Sequence, residues 1–454
     1  MNCTFCGTLL SPDAAHCPVC NSPVQSTQNN PAQPQSYTMP PQLQGELLPL
    51  KIPGKLSSLL VYWHRVHCPY CGYDFHPSDC AVYSNNRIEQ GKPVRLDAAP
   101  SPGLERTLAR LRIKPLVGER YTREDARRAC PQCAKLLPRR FEVNPTFTIA
   151  VIGDTASGKS HFLTTLFHQL KEDIAVERDD ILFHFRPLSD DVSKSFKNFE
   201  QKMFINHEPL ASTQFYTQKP GTNLVVWDPL IFGLEIGYKI KGEFRKIVMN
   251  LVFYDIAGED ITTETNLRRL GWPILRADGI IHVADPLSMR SIIDRLPPSG
   301  QVQEAKGVLH SRFNAERVLA DVIRVYTENN QDAKEQQALT IPVAIMLSKS
   351  DLLDPIVSGL HLPSTRFLET PISNGRIDLD EMRTIDKEVR QLLADVGDQG
   401  LARQSLRFKT SQFFAASATG CAPDKNNRFP DVKPRRCLDP LLWLLWQLMR
   451  RETK

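Results

Sequence analysis

At 454 residues the chain is long enough for about three domains, and its composition is ordinary for a globular protein apart from 34 prolines. A formal net charge of +5 is too mild to argue for nucleic acid by itself, and the lack of an apolar run of about 18 residues predicts no transmembrane helix. The N-terminus, MNCTFCGTLL, lacks the basic and apolar regions of a signal peptide, so a cytoplasmic protein is expected, in which eleven cysteines point to metal rather than disulfides.

Residues 1–22 carry Cys3-x-x-Cys6, ten residues, then Cys17-x-x-Cys20. Each C-x-x-C turn presents two sulfurs to one point, and Zn²⁺ wants four thiolates in a tetrahedron. A redox C-x-x-C would need a single pair. So short a segment cannot bury enough apolar surface to fold alone, and metal would supply the folding energy. His16 is a bystander beside four available cysteines. The segment resembles a zinc ribbon, and the resemblance implies a module that binds a partner rather than one that catalyses. Residues 23–46, rich in Pro, Gln, Asn and Ser, read as a disordered linker.

Residues 47–145 form a second cysteine module. Apolar character returns at Leu47–Val66, a candidate strand. Cys68-Pro-Tyr-Cys71 and Cys130-Pro-Gln-Cys133 are alike in wording but 58 residues apart. They could share one Zn²⁺ around an insertion, or not meet at all. Cys80, Cys421 and Cys437 have no spacing partner and read as small buried hydrophobes. From Arg87 to Arg140 there are 14 Lys/Arg against 6 Asp/Glu. Such a patch could meet nucleic acid or an acidic membrane. No motif with stacking aromatics accompanies it, and a solvated surface with pairs such as Arg123, Glu124, Asp125 and Arg127 is the favoured reading.

Residues 146–454 contain the chemistry. Phe147–Ile152 is a short apolar run that predicts a buried strand. Gly153-Asp154-Thr155-Ala156-Ser157-Gly158-Lys159-Ser160 fits G-x-x-x-x-G-K-[ST], the phosphate-binding P-loop. Phe162, Leu163, Leu166, Phe167 and Leu170 recur at helical spacing. A polyphosphate must be wrapped by backbone N–H groups, and glycines allow that approach. The helix start aims its free N–H groups at the same anion. Lys159 can reach the β- and γ-phosphates and the Ser160 hydroxyl can ligate Mg²⁺. Gly153, Asp154, Ser157, Gly158, Lys159, Ser160 and His161 are the candidate phosphate-binding set.

Further elements follow in order. A strand is predicted at Ile181–Phe185, a helix at Asp190–Phe204, a polar loop EPLASTQFYTQKPGTN and a strand at Leu224–Leu234. An apolar strand from Val248 ends in Asp255-Ile-Ala-Gly258-Glu259, a D-x-x-G motif. An acid at a neighbouring strand's end can hold Mg²⁺ opposite the loop serine. Gly279–Ala284 is another buried strand, ending at Asp285-Pro286. A helix is predicted at Val308–Tyr326, then a strand at Ile341–Leu347 ending in Ser348-Lys349-Ser350-Asp351. A strand at Ser405–Phe414 leads to Ala416-Ser417-Ala418. The closing LDPLLWLLWQLMRR is too short to span a bilayer and reads as a helix docked on the sheet.

P-loop, D-x-x-G, [NT]-K-x-D and S-A, in that order at strand ends, resemble the guanine-nucleotide signature of the Ras-like, translation-factor-related (TRAFAC) GTPases. The resemblance implies a doubly wound three-layer α/β P-loop NTPase domain, here preceded by small zinc-ribbon-like modules. It implies GTP/GDP and Mg²⁺ beside the Zn²⁺, and a regulatory switch that hydrolyses GTP. Lys349 would pack on the base, Asp351 would accept from guanine N1–H and the 2-amino group, and Ser417-Ala418 would reach O6. Asp255 would hold Mg²⁺ through water and Gly258 N–H would meet the γ-phosphate. Lys159, Glu259 and Thr213, with Thr217 as second choice, are the catalytic candidates. Two positions depart from the family: Ser348 replaces the usual Asn or Thr, and Glu259 stands where many small members carry Gln. The zinc modules and the IAGED sequence also resemble double-GTPase proteins of bacterial conflict or signalling systems. That implies a partner GTPase and a regulatory role. A nucleotide-gated adaptor with little hydrolysis, or an ATPase acting with nucleic acid, are the alternatives.

Overall fold

The computed structural model describes residues 48, 65–90, 92–96, 126–139, 141–154, 156–177, 179–210, 216–218, 225–257, 271–298, 315–329, 338–360 and 377–450. These residues fall in one unit, Gly45–Lys454. The expected ribbon cysteines Cys3, Cys6, Cys17 and Cys20 and the linker at 23–46 lie outside them, as do Thr213, Gly258 and Glu259.

Two small antiparallel pieces come first. β1 (Val66–His67) pairs with β2 (Asp74–Phe75) across the first cysteine turn. β3 (Ala81–Glu89) pairs with β4 (Lys92–Arg95) and with β5 (Ala126–Ala129). Ala81 faces Ala129 in that pairing, so the strands bring the residues just after Cys80 beside Cys130.

The main sheet is built from β6 (Thr146–Gly153), β7 (Val176–Glu177), β8 (Ile181–Pro187), β11 (Leu230–Ile240), β12 (Glu243–Ala257), β13 (Gly279–Ala284), β14 (Val343–Leu347) and β15 (Ser411–Ala415); a separate hairpin joins β9 (Tyr216–Gln218) to β10 (Val225–Trp227). Its order is β15-β14-β13-β6-β12-β11-β8-β7. The first five run parallel and the last three join antiparallel. This is a mixed α/β fold with a parallel-rich sheet. β13 and β14 are buried at every residue, as strands covered on both faces should be. One face packs on α1 (Lys159–Glu172), α2 (Asp190–Glu200) and α7 (Asp439–Arg450) through Leu163, Phe167, Phe196 and Leu445. The other packs on α4 (Ala315–Asn329) and the cysteine turns, between which α3 (Trp272–Leu275) contributes Ile274; α5 (Leu379–Asp395) and α6 (Gly400–Ser405) complete that side. The cysteine turns and the sheet therefore share one core.

Several expected boundaries move. The Leu224–Leu234 strand is two strands, broken at Asp228-Pro229, because Pro cannot donate to a ladder. β11 and β12 instead form one long hairpin that begins the D-x-x-G strand at Glu243. The polar loop before it contains β9, which places Thr217 in a strand opposite Val226. The helix expected at Asp190–Phe204 is α-helical to Glu200 and then widens into a π turn, Gln201–Ile205. In the Ser405–Phe414 segment only Ser411 onward is strand, and Ser405 closes α6. Cys80 and Cys437 are buried as expected, but Cys421 is only half-buried, with its thiol donating to Asp431 O at 3.1 Å.

α7 docks as the sequence suggested. Trp443 meets Phe414 at 5.8 Å and Leu444 covers Gly279. Among the described residues no helix is long and apolar enough to cross a membrane. Arg436, 3 % exposed, holds the start of α7 by donating to Asp439 at 2.6 Å and to Glu381 on α5 at 3.0 Å. Arg436→Ala leaves both acids without their partner and should cost about 3–5 kcal/mol in a urea melt.

His282 is another polar group sealed into this core. On β13 it is fully buried, with the Ala315 backbone at the start of α4 as its polar neighbour. Burial pushes its pKa from 6.5 down to about 4. The unfolded chain thus takes up the proton first, so stability from neutral His282 is intact above 6.5 and lost as pH falls towards 4. Between about pH 7 and pH 5 the wild type should lose about 2 kcal/mol more than His282→Leu in paired denaturant titrations.

Candidate functional site

The P-loop sits at the C-terminal end of β6, where β12 lies on one side and β13 on the other. That is the topological switch point at which open α/β sheets bind ligands. A Cβ on Gly153 would lie 2.4 Å from Val283 O, and Gly158 takes φ +88° to start α1. Ala156 also takes a positive φ, +66°, which costs a residue with a Cβ about 1–2 kcal/mol. This left-handed turning curls the loop on itself. Lys159 is buried, and its Nζ donates to Gly153 O and Asp154 O at 2.9 Å each. Ser157 Oγ is buried with no hydrogen-bond partner among the described residues. Ser160 Oγ donates to Asp255 Oδ2 at 3.2 Å. Asp255 stands opposite Val151 in the parallel β12–β6 pairing, which carries its carboxylate to the start of α1.

A second group of residues closes the other end of the loop. Lys349 takes φ +50°, and its Nζ donates to Ala156 O at 3.0 Å and to Asp285 Oδ2 at 2.7 Å. Ser417 Oγ donates to Asp351 Oδ1 at 2.5 Å and accepts from Gly420 N–H at 2.8 Å. Ala418 O accepts from Thr165 of α1 at 3.0 Å. Ser348, the departure from the family pattern, turns its hydroxyl to Ala284 O at 3.3 Å on the neighbouring strand. The structure thus brings together Gly153, Asp154, Ser157, Gly158, Lys159, Ser160, His161, Asp255, Lys349, Asp351, Ser417 and Ala418 along one rim of the sheet.

Motif reading misses two participants. Asp285 was read only as a strand end, yet it is 2 % exposed and receives the Lys349 ammonium while capping Leu287 N–H at 2.9 Å. Its place at the end of a buried strand was the available signal. Arg435 exchanges backbone hydrogen bonds with Ser417 and pairs with Asp354 at 3.0 Å, bracing the two loops that carry Asp351 and Ala418. No spacing in the sequence announces it. His161, a candidate from the sequence, turns its side chain to other partners. Its Nε2 accepts from Leu210 N–H at 3.0 Å, with the Phe429 ring edge-on at 5.9 Å. Burial, helped by the Lys349 charge, pushes its pKa down to about 4, so at pH 7 it is a neutral acceptor that ties α1 to the chain before residue 211.

The second cluster lies on the opposite face of the sheet. Cys68, Cys71, Cys130 and Cys133 bring their sulfurs within 4.8 Å of one another. Cys68 and Cys133 are 3.8 Å apart and Cys71 and Cys130 3.7 Å. A tetrahedron with metal–sulfur arms of about 2.3 Å has edges of about 3.8 Å, so the donor set and its size fit one zinc. Hydrogen bonding among the four splits their acidities, Cys130 raising Cys68 and Cys71 while Cys133 holds Cys130 well below an ordinary thiol. Of the two arrangements open from sequence, the structure assembles all four.

No family model matches the chain. The putative ESX-1 scaffolding and assembly protein SaeC of Mycolicibacterium smegmatis is 24% identical over 335 residues, covering 69% of this chain and 78% of that protein. The G domain of the T. maritima FeoB iron transporter aligns at 9% identity with a TM-score of 0.23, over 67% of this chain and 99% of that one. The cytosolic domain of the same transporter, in apo form, aligns at 10% identity and a TM-score of 0.24, over 68% of this chain and 66% of that one. Neither structural likeness is close enough to bear on this chain's chemistry.

Proposed function

We propose that the chain binds GTP with Mg²⁺, hydrolyses it, and acts as a regulatory switch whose zinc-binding cysteine modules engage a protein partner. One observation carries the reading: Ser160 and Asp255 meet oxygen to oxygen beside a lysine folded into a glycine loop. Two hard oxygen ligands next to a phosphate cradle suit a hydrated Mg²⁺. The orphaned Ser157 hydroxyl supports a ligand in the loop.

In this reading Lys159 leaves the two loop carbonyls for the β- and γ-phosphates, and α1 presents its first N–H groups to the same anion. Ser160 and Asp255 would hold Mg²⁺, which would supply neutralisation of the charge on those phosphates. Asp351, oriented by Ser417, accepts from guanine N1–H and the 2-amino group. Adenine offers an acceptor at N1, which the carboxylate repels. Lys349, fixed by Asp285 and Ala156 O, lies along the base. By the resemblance, Gly258 N–H would meet the γ-phosphate, and Glu259 and Thr213 would order the attacking water. The charge of Glu259 near that phosphate makes turnover slow or dependent on a partner. Cys68, Cys71, Cys130 and Cys133 hold one zinc, and Cys3, Cys6, Cys17 and Cys20 another. The second reading is a nucleotide-gated adaptor with little turnover, favoured by the scaffolding role in SaeC's name.

Lys159→Ala removes two charge-assisted hydrogen bonds worth about 1.5–3 kcal/mol each. It should weaken labelled GTP binding by about 10²–10⁴-fold in a fluorescence titration; unchanged affinity rejects the site. Excess GTP should displace the label and excess ATP should not. Multiple-turnover phosphate release separates the switch from the adaptor, and salt-dependent binding to DNA or RNA with ATP preference would point to the third alternative. Cys68→Ser should release zinc that the wild type retains through gel filtration with a mild chelator, measured by metal analysis.

A further inference from the structure

The four-cysteine turn touches the nucleotide-bearing part of the sheet at several places, and these places have something in common. Tyr254 donates its hydroxyl to Pro69 O at 2.5 Å. Pro69 lies inside the Cys68-x-x-Cys71 turn, and Tyr254 immediately precedes Asp255. Successive strand residues point to opposite faces, so the tyrosine holds the back of the strand end whose front carries the candidate Mg²⁺ acid. Trp227 N–H donates to Tyr70 O, the next carbonyl of the same turn, at 2.7 Å. Trp227 ends β10 and packs on Tyr216 of β9 at 5.2 Å. Trp272 lies against Gly72, where an added Cβ would stand 2.8 Å from the ring, and Arg276 donates to Asp74 at 2.7 Å. The rings of Trp227 and Trp272 both meet Tyr254 edge-on, at 5.7 and 5.4 Å.

These contacts select particular points in the chain. Tyr254 and Trp272 flank the segment holding Gly258 and Glu259. Trp227 follows the segment holding Thr213 and closes the hairpin that carries Thr217. Both described ends of the D-x-x-G segment, and the exit from the earlier one, therefore rest on one turn of five residues, Cys68 to Gly72. A metal would hold that turn in place, because four neighbouring thiolates need a cation to stay so close. Tyr70 spreads the effect to the second cysteine turn by donating to Leu136 O at 3.2 Å.

We propose that Tyr254 is a positioning residue through which the cysteine-held metal and Mg²⁺-nucleotide strengthen each other's binding. The inference rests on the nucleotide and zinc readings of the preceding subsection. When the Cys68–Cys71 turn is fixed by metal, Pro69 O fixes Tyr254, and Asp255 is delivered to Ser160. When the turn is released, the strand end loses its support from behind. Linkage makes the effect reciprocal: nucleotide must tighten metal by the factor by which metal tightens nucleotide.

The test uses the full chain, loaded with zinc or stripped by a chelator, with fold followed by circular dichroism. Labelled GDP is titrated at several Mg²⁺ concentrations, and zinc affinity is measured by competition with a chelating dye with and without GDP. In the wild type, stripping should weaken Mg²⁺-dependent GDP affinity about tenfold, and GDP should tighten zinc by the same factor. Tyr254→Phe keeps the ring and loses only the hydroxyl; in it the mutual factor should fall to about twofold, with the Mg²⁺ half-saturation of the loaded protein raised several-fold. A core truncation elsewhere, Val389→Ala, should lower stability without moving that half-saturation. Equal GDP affinity in folded loaded and stripped wild type overturns the inference, as does full coupling in Tyr254→Phe. Should stripping unfold the chain, the Mg²⁺ half-saturation of loaded Tyr254→Phe decides, and an unchanged value overturns it. Absence of GDP binding by the loaded wild type instead defeats the nucleotide reading, and this inference falls with it.

Discussion

The parallel pairing of β12 against β6 is the constraint from which the site follows. Phe253 faces Ile149 and Asp255 faces Val151 in that register. A slip of one residue would turn Asp255 to the other face and put Tyr254 among the phenylalanines of α1 and α2. The apolar pattern forbids it. Leu251 and Phe253 belong with Phe167 and Phe232 on one side, while Val252, Tyr254 and Ile256 belong with the cysteine turns on the other. A carboxylate meets a serine at the mouth of the loop because hydrophobic sorting several residues earlier leaves the strand one register to take.

Much of this was legible in the sequence because its signals are local. The strand–loop–helix from Thr146 to Glu172 is written as an apolar run, two glycines and a helical stripe. β13 and β14 are written as uninterrupted apolar stretches. The legible part of the cysteine cluster was its composition. The two turns share a wording, but the β3–β5 pairing and the Tyr70–Leu136 bond that bring them together lie between distant segments, and such pairing leaves little trace in either one.

The parts that were not legible depend on partners far away in the chain. Arg435 acts on loops at 351–354 and 417, and Asp285 acts on a lysine 64 residues later. The strand expected at Ser405–Phe414 failed because Ser405 and Leu406 complete a helical turn, whose carbonyls serve Leu406 and Phe408 N–H. The expected Leu224–Leu234 strand failed at Pro229, where the apolar count stayed high while the hydrogen-bonding capacity dropped. Periodicity measures side chains, and in both places the backbone's donors and acceptors set the outcome.

The brace at Arg435 has a consequence for how the molecule comes into being. Synthesis runs from the N-terminus, so the phosphate loop, its acid and the cysteine turns are complete long before residue 435 is made. The loop bearing Ser417 and Ala418 gains its backbone pairing with Arg435, and Asp354 its cation, only with the last of the described residues. If the proposed nucleotide reading holds, a nascent chain would possess the residues meant to grip a polyphosphate before it possesses the support for those meant to judge the base attached to it. The brace is the feature that arrives last, and α7, docked by Arg436 one residue further on, follows it at once.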